Sequence, residues 1–368
     1  MLHDDLKPLL PEMAQKHASS PDAYPADNIA ALQSIAAFAA PFTPEMGGRN
    51  TPLVEMVDAI LAIASACPST ALLAAMPMGL AAALRAGVEV APPLYERAAN
   101  EQLRRVAEDY RNGLIYAACN SEKGAGGAIA ATKTVAKKQG DTFALYGEKI
   151  LASFGAHADV FFCSAKVEPS ELPGAGPVEY FFLDVPAPGV LILNDWNGFG
   201  MAGTESHTVR LEGALVAGGE VMGYPDFINH ARTSPYWASL FAAIPLGCAR
   251  ASLRCLGNPT SPALRTRLSD ARMHYEALRA YLRETASLVK PQGDNAFMQR
   301  VMRTKTYVAE QSTRLCAELF ALSGGRNYVR GSAMAGALAD SFAGTALRPP
   351  LPLALETLAE TYEVDSLE

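Results

Sequence analysis

Val160-Phe161-Phe162-Cys163-Ser164-Ala165 is followed, past a Pro/Gly-rich interval at 168–177, by Val178-Glu179-Tyr180-Phe181-Phe182-Leu183. Both runs are short, rich in aromatic and β-branched residues and bounded by Gly, Pro and Asp, so they read as strands. The interval between them reads as an exposed hairpin loop. Runs of the same texture lie on either side, at 114–119, 132–137, 142–147 and 208–211. Outside them the period changes. Leu53, Met56, Val57, Ile60, Leu61 and Ala64 recur at helical spacing. A second helix follows Cys67-Pro68, with Ser69 or Thr70 expected as its cap, and a third is expected from about 93 to 109. Downstream, Leu264, Leu268, Ala271, Tyr275, Leu278 and Leu282 step by four or three, and Phe297, Val301, Val308, Leu315, Leu319 and Leu322 make a second seam. Seams this long belong to packed helices. The predicted fold is an α+β multidomain chain: an all-α N-terminal domain over 1–112, a central β-barrel-like domain over 113–223, and a C-terminal helical bundle over 224–368.

The composition narrows the function. The 368 residues are 49% hydrophobic and 19% charged, a profile of globular proteins. The net charge is -7 and no basic cluster stands out, which argues against nucleic acid and against a membrane-surface helix. Met1-Leu2-His3-Asp4-Asp5 is acidic where a secretory leader would be basic. The longest apolar stretch, 71–84, is too short to span a bilayer and contains Pro77. Cys67, Cys119, Cys163, Cys248, Cys255 and Cys316 are scattered and read as buried thiols of a cytoplasmic protein. No His/Cys/Asp/Glu set has metal-ligand spacing, so no metal is expected. His157, His207 and Asp340 read as ordinary residues, Asp340 as a capping or solvated one.

Four blocks carry chemistry: Phe42-Thr43-Pro44-Glu45-Met46-Gly47-Gly48; Ser121-Glu122-Lys123-Gly124-Ala125-Gly126-Gly127; Gly147-Glu148-Lys149 through Ser153; and Phe199-Gly200-Met201-Ala202-Gly203-Thr204-Glu205-Ser206, followed by 215–223. A Gly-rich loop after a strand lets backbone N–H groups approach a ring or phosphate closely. In this order the blocks resemble those of the acyl-CoA dehydrogenase superfamily, which uses FAD. The resemblance implies that Asn120 and Ser121 meet the isoalloxazine edge and that Ser153 lies near flavin N5. Gly126 and Gly127 would then lie in the cofactor loop, Gly127 replacing a phosphate-binding serine and Leu151 a tryptophan that packs on the flavin. It also implies that Gly324-Gly325, in the turn after the second seam, serve the adenosine half of FAD in a neighbouring subunit. A helix C-cap is their simpler reading.

Two departures stand out. The position of the family's catalytic glutamate falls at Arg348, in Thr345-Ala346-Leu347-Arg348-Pro349-Pro350. A guanidinium cannot act as a general base. It would hold an anionic group, or else point to solvent ahead of a proline stop. The place where some relatives carry the base instead falls near Trp237. In addition, the family's Arg-x-x-Phe-Gly segment is missing between Leu256 and the next helix. The resemblance implies an FAD-dependent oxidoreductase acting on an acyl-CoA-like substrate. A flavin monooxygenase on the same fold, which needs no glutamate, and a non-catalytic relative that binds an acyl ligand or a protein are the alternatives. The expected partners are a small-molecule substrate, an electron-transfer flavoprotein or flavin reductase, and further copies of the chain as a dimer or tetramer.

Overall fold

The apolar face at 53–64 is buried along its whole length in α1 (Leu53–Ala64). The computed structural model describes residues 2–167 and 178–360. The expected hairpin loop at 168–177 and the last stretch of the bundle therefore lie outside the described residues. Helix α2 (Pro68–Glu89) begins at its proline, whose fixed φ suits a first helical turn. Its N-cap position is Cys67, without a side-chain cap bond, so neither Ser69 nor Thr70 caps it. Thr70 is buried instead and accepts a hydrogen bond from Asn28 at 2.9 Å. Helix α3 (Glu96–Arg111) completes this part.

Among the described residues seven strands follow: β1 (Tyr116–Cys119), β2 (Val135–Gln139), β3 (Thr142–Ala152), β4 (Val160–Val167), β5 (Glu179–Asp184), β6 (Val190–Ile192) and β7 (His207–Ala217). They form one curled half-barrel sheet in the order β1-β4-β2-β3-β7-β6, with β5 on β4. Strand β4 runs parallel to β1 and β2 and antiparallel to β5. It is buried except at Lys166, which explains why its sequence is mostly apolar on both faces rather than an alternation.

The two seams become α5 (Pro262–Ser287) and α6 (Asn295–Leu322), preceded by α4 (Ser234–Leu256) and followed by α7 (Ala333–Ser341) and α8 (Leu351–Glu360). A single apolar cluster runs from the first helices through the sheet into α4. Helices α2 and α4 are long and apolar enough to cross a membrane, a point that the reading of apolar runs missed; both lie mostly buried in the core. Cys255, expected to be buried, is exposed near the end of α4, while the other five cysteines are buried.

Candidate active site

Helix α2, the strand ends and the C-terminal helices enclose a cavity of about 750 Å³. Its size is that of a small-molecule or cofactor site. Its strand-side wall is anchored by a buried ion pair. Glu122, 6% exposed, accepts from Lys149 Nζ at 2.6 Å, from the Thr132 and Thr134 hydroxyls and from the Lys133 and Thr134 backbone N–H groups. Lys149 also donates to the Ser164 carbonyl at 2.6 Å and to Thr132 Oγ1 at 3.1 Å. Burial raises the Glu122 pKa, but the Lys149 hydrogen bond, the Thr132 hydroxyl and the neighbouring donors outweigh it and hold the carboxyl at about 2. One satisfied network thus fixes the loop after Ser121 to the strand that leads to Leu151 and Ser153.

Asn120, Ser121, Gly127, Leu151 and Ser153 all line the cavity. The Asn120 side chain is committed within the wall, since its Oδ1 accepts from Ser164 N at 2.8 Å. Gly127 has φ +90°, and a Cβ there would strike Pro350 at 2.6 Å. Only glycine fits that approach, and the hydroxyl of a serine is absent with it. Gly126 is not part of the wall. Gly324 and Gly325 are exposed beyond the end of α6, away from the cavity.

The hydroxyls beside the cavity are polarised in one direction. Thr204 donates to the Met201 carbonyl at 2.8 Å, so it accepts from Ser206 at 2.7 Å, and Ser206 accepts from Ser153 at 3.0 Å. Ser153 Oγ is left as an acceptor. The loop carrying Met201 is tied down by Asp340, whose Oδ1 accepts from Met201 N at 2.6 Å. Asp340 is therefore neither a cap nor solvated: it is 7% exposed, and burial raises its pKa to about 6.

On the helix side, Arg348 is turned inward. Its Nη2 donates to the Asn120 carbonyl at 2.8 Å and to Ser121 Oγ at 3.4 Å, which removes the solvent-pointing alternative. Its Nη1 is buried and has no partner. Behind it Lys305, 1% exposed, donates to the carbonyls of Leu347 and Pro349, each at 2.6 Å, and so clamps both neighbours of Arg348. Burial without a carboxylate partner pushes the Lys305 pKa down to about 7.

Trp237 forms part of the wall; His157 and His207 do not. His157 stacks on Tyr24 at 3.7 Å, and His207 accepts from Trp196 N while its Nε2 pairs with Glu205 at 2.8 Å. Among the described residues, no Asp, Glu, His, Lys, Cys or Tyr lines the cavity, and Arg348 is its one charged residue. The described residues hold no cluster able to bind a metal. The Ser153 acceptor and the polar atoms of Asn120 and Ser121 on one wall of a chamber of about 750 Å³ suit a flat ring with donor and acceptor edges, so these residues fit a flavin.

Residues 117–214 match the family model described as "Acyl-CoA dehydrogenase, middle domain". The chain is 23% identical to the probable acyl-CoA dehydrogenase YngJ of Bacillus subtilis, over 86% of this chain and 84% of that one. It is 29% identical to the oxygenase component of the FADH(2)-dependent resorcinol hydroxylase of a Rhizobium strain, over 55% and 43%. Among solved structures, KijD3 in complex with FMN and dTDP-3-amino-2,3,6-trideoxy-4-keto-3-methyl-D-glucose superposes with a TM-score of 0.84 at 19% identity, covering 99% of this chain and 94% of that one.

Proposed function

The chain belongs to the acyl-CoA dehydrogenase superfamily, and from that premise we propose that it is a flavin-dependent monooxygenase. The observation that carries this reading is that, among the described residues, the cavity wall holds no general base. Removing a proton α to a thioester needs a positioned base, worth about 10²–10⁴-fold in rate. Arg348 stays protonated and cannot supply one. Oxygenation makes no such demand. The resorcinol hydroxylase component among the relatives is in keeping with it.

Asn120, Ser121 and Ser153 would hold the flavin edge, with the Ser153 oxygen accepting from a proton-bearing ring nitrogen. Bound reduced flavin supplies the two electrons by which dioxygen delivers one oxygen atom to substrate and the other to water. Leu72, Met76, Trp237 and Phe241 exclude water from the same chamber. Arg348 would stabilise negative charge developing beside the ring. FAD is the cofactor that the resemblance implies. The serine missing at Gly127 and the missing Arg-x-x-Phe-Gly segment weaken the grip on its outer half, so FMN is tested beside it. Gly324 and Gly325, exposed next to Tyr328, would serve a neighbouring subunit in a dimer or tetramer, which light scattering tests.

The experiment titrates FAD and FMN by calorimetry, then supplies a flavin reductase, NADH and aromatic substrates while oxygen uptake and labelled product are followed. Saturable flavin binding with labelled oxygen in the product is expected. Flavin binding without product oxygenation, together with dye-linked oxidation of acyl-CoAs, would establish the second reading, CH–CH oxidation, which the relative YngJ favours. Under that reading a base comes from outside the described wall. The Arg348→Glu variant would then gain turnover if position 348 is where the base belongs.

A further inference from the structure

The cavity has an electrostatic preference that its apolar walls hide. One cation stands in the wall, Arg348, with the buried Lys305 amine behind it. Among the described residues neither has a carboxylate within ion-pair distance, although the chain carries 38 Asp and Glu against 31 Lys and Arg. Glu122, whose charge Arg348 feels, is spent on Lys149. A buried cation without a counter-ion is costly, and the cost falls when a ligand supplies one. The Arg348 side chain lines the cavity, while its Nη1 is packed against protein without a hydrogen-bond partner, so the guanidinium is not fully compensated where it stands. Elsewhere the wall of the same cavity is soft and aromatic, with Met76, Met298, Met302, Trp237, Phe241 and Phe342. Thioethers and rings of this kind favour a flat apolar body.

We propose that this cavity takes a small ligand with an aromatic body and one anionic group, a ring carboxylate, seated on the Arg348 guanidinium. The inference names the substrate class for the chamber read above as an oxygenase site, and rests on that reading only for the claim that the ligand is turned over. Arg348 is the residue that discriminates by charge, through a charge-assisted hydrogen bond in a water-poor setting. Lys305 is a positioning residue: its bonds to the Leu347 and Pro349 carbonyls hold the guanidinium in place.

The test uses the whole purified protein. Its two tryptophans, Trp196 and Trp237, both line the cavity, so their emission reports occupancy directly. 4-tert-Butylbenzoate, 4-tert-butylbenzamide and 4-tert-butylbenzylamine share one body and differ in charge. Titrated at pH 7.5, the benzoate is expected to bind roughly tenfold or more tightly than the amide, and the amine to give no saturable change. In Arg348→Met the benzoate should lose that advantage while the amide is unaffected. Arg348→Lys should fall between. A wild type that binds amide as tightly as benzoate overturns the proposal, and so does an Arg348→Met that keeps the preference. If Arg348→Met does not melt cooperatively, Arg348→Lys with calorimetry decides: an unchanged ratio overturns the assignment to this residue. Flavin titrations run in parallel. Loss of flavin binding in Arg348→Met with benzoate affinity intact gives Arg348 to the cofactor and also overturns the proposal. Selective benzoate binding without oxygen uptake leaves it standing and removes the oxygenase reading instead.

Discussion

The two walls of the cavity treat buried charge in opposite ways. On the strand side, Lys149 and Glu122 face each other at 2.6 Å and their remaining hydrogen-bonding capacity is taken up by Thr132, Thr134 and Ser164. On the helix side, Lys305 and Arg348 meet only neutral acceptors, and Arg348 Nη1 meets none. A network that is complete by itself is scaffold, because a ligand can add nothing to it. A wall whose cation has no counter-ion can still gain one from a ligand.

The largest test of this contrast is Lys149→Met. It would leave the Glu122 carboxylate buried and unpaired and should cost about 3–5 kcal/mol in urea unfolding. A loss below about 1 kcal/mol would mean that the strand wall is not the scaffold. Lys305→Met should act through pH. The unfolded lysine holds its proton to about 10.5, whereas the folded one releases it near 7. Between those values the unfolded state binds more protons, so wild-type stability should rise with pH from about 7 to 10, by roughly 2 kcal/mol after discounting for relaxation at the site. Lys305→Met should lack that rise, while Glu179, whose burial raises it to about 8, still lowers stability up to that pH in both proteins. If the wild type and Lys305→Met share one profile, Lys305 is better compensated than its bonds indicate.

Asp340 gives a smaller effect of opposite slope. Its folded pKa, about 6, lies above the usual aspartate value of 3.8. The folded state therefore binds the extra proton between the two, and stability should fall as pH rises from about 4 to 6, by roughly 1 kcal/mol. Asp340→Asn keeps an acceptor for Met201 N and should make the slope shallower by that amount, the buried Glu179 carboxyl, raised to about 8, contributing a fall of the same sign in both proteins, as thermal melts across that range would reveal. The smallest effect belongs to Phe199, 79% exposed and in edge contact with Phe342 at 5.9 Å. Phe199→Ala should change stability by less than about 0.5 kcal/mol. The benzoate titration should still register it as a few-fold weaker affinity if the ring helps to close the mouth.

The succession of helices, strands and helices was legible because each part has its own period, and the seam from Leu264 to Leu282 is a single helix. Asn120, Ser121, Ser153 and Arg348, more than two hundred residues apart at the extremes, do converge on one cavity. Lys305 was passed over, although the second seam contained the hint. On the face of that seam nothing apolar stands between Val301 and Val308, and Lys305 sits four after one and three before the other, on the buried face. A lysine in the gap of an apolar stripe is either a defect or a buried cation, and periodicity alone does not say which. Asp340 escaped for a related reason, since its partner is a backbone N–H 139 residues away. The cap of α2 was misplaced because Pro68 had already begun the helix.

Gly79 is not among the residues that line the chamber. It lies on α2 against Trp237, and a β-carbon there would meet the indole at 2.3 Å. The indole is therefore parked in a notch that exists only because one hydrogen stands where other residues carry a methyl. Alanine at that place would push a large ring inward and shorten the room available to whatever binds. Capacity in this protein is thus set partly from outside the chamber, by a residue that never touches the guest.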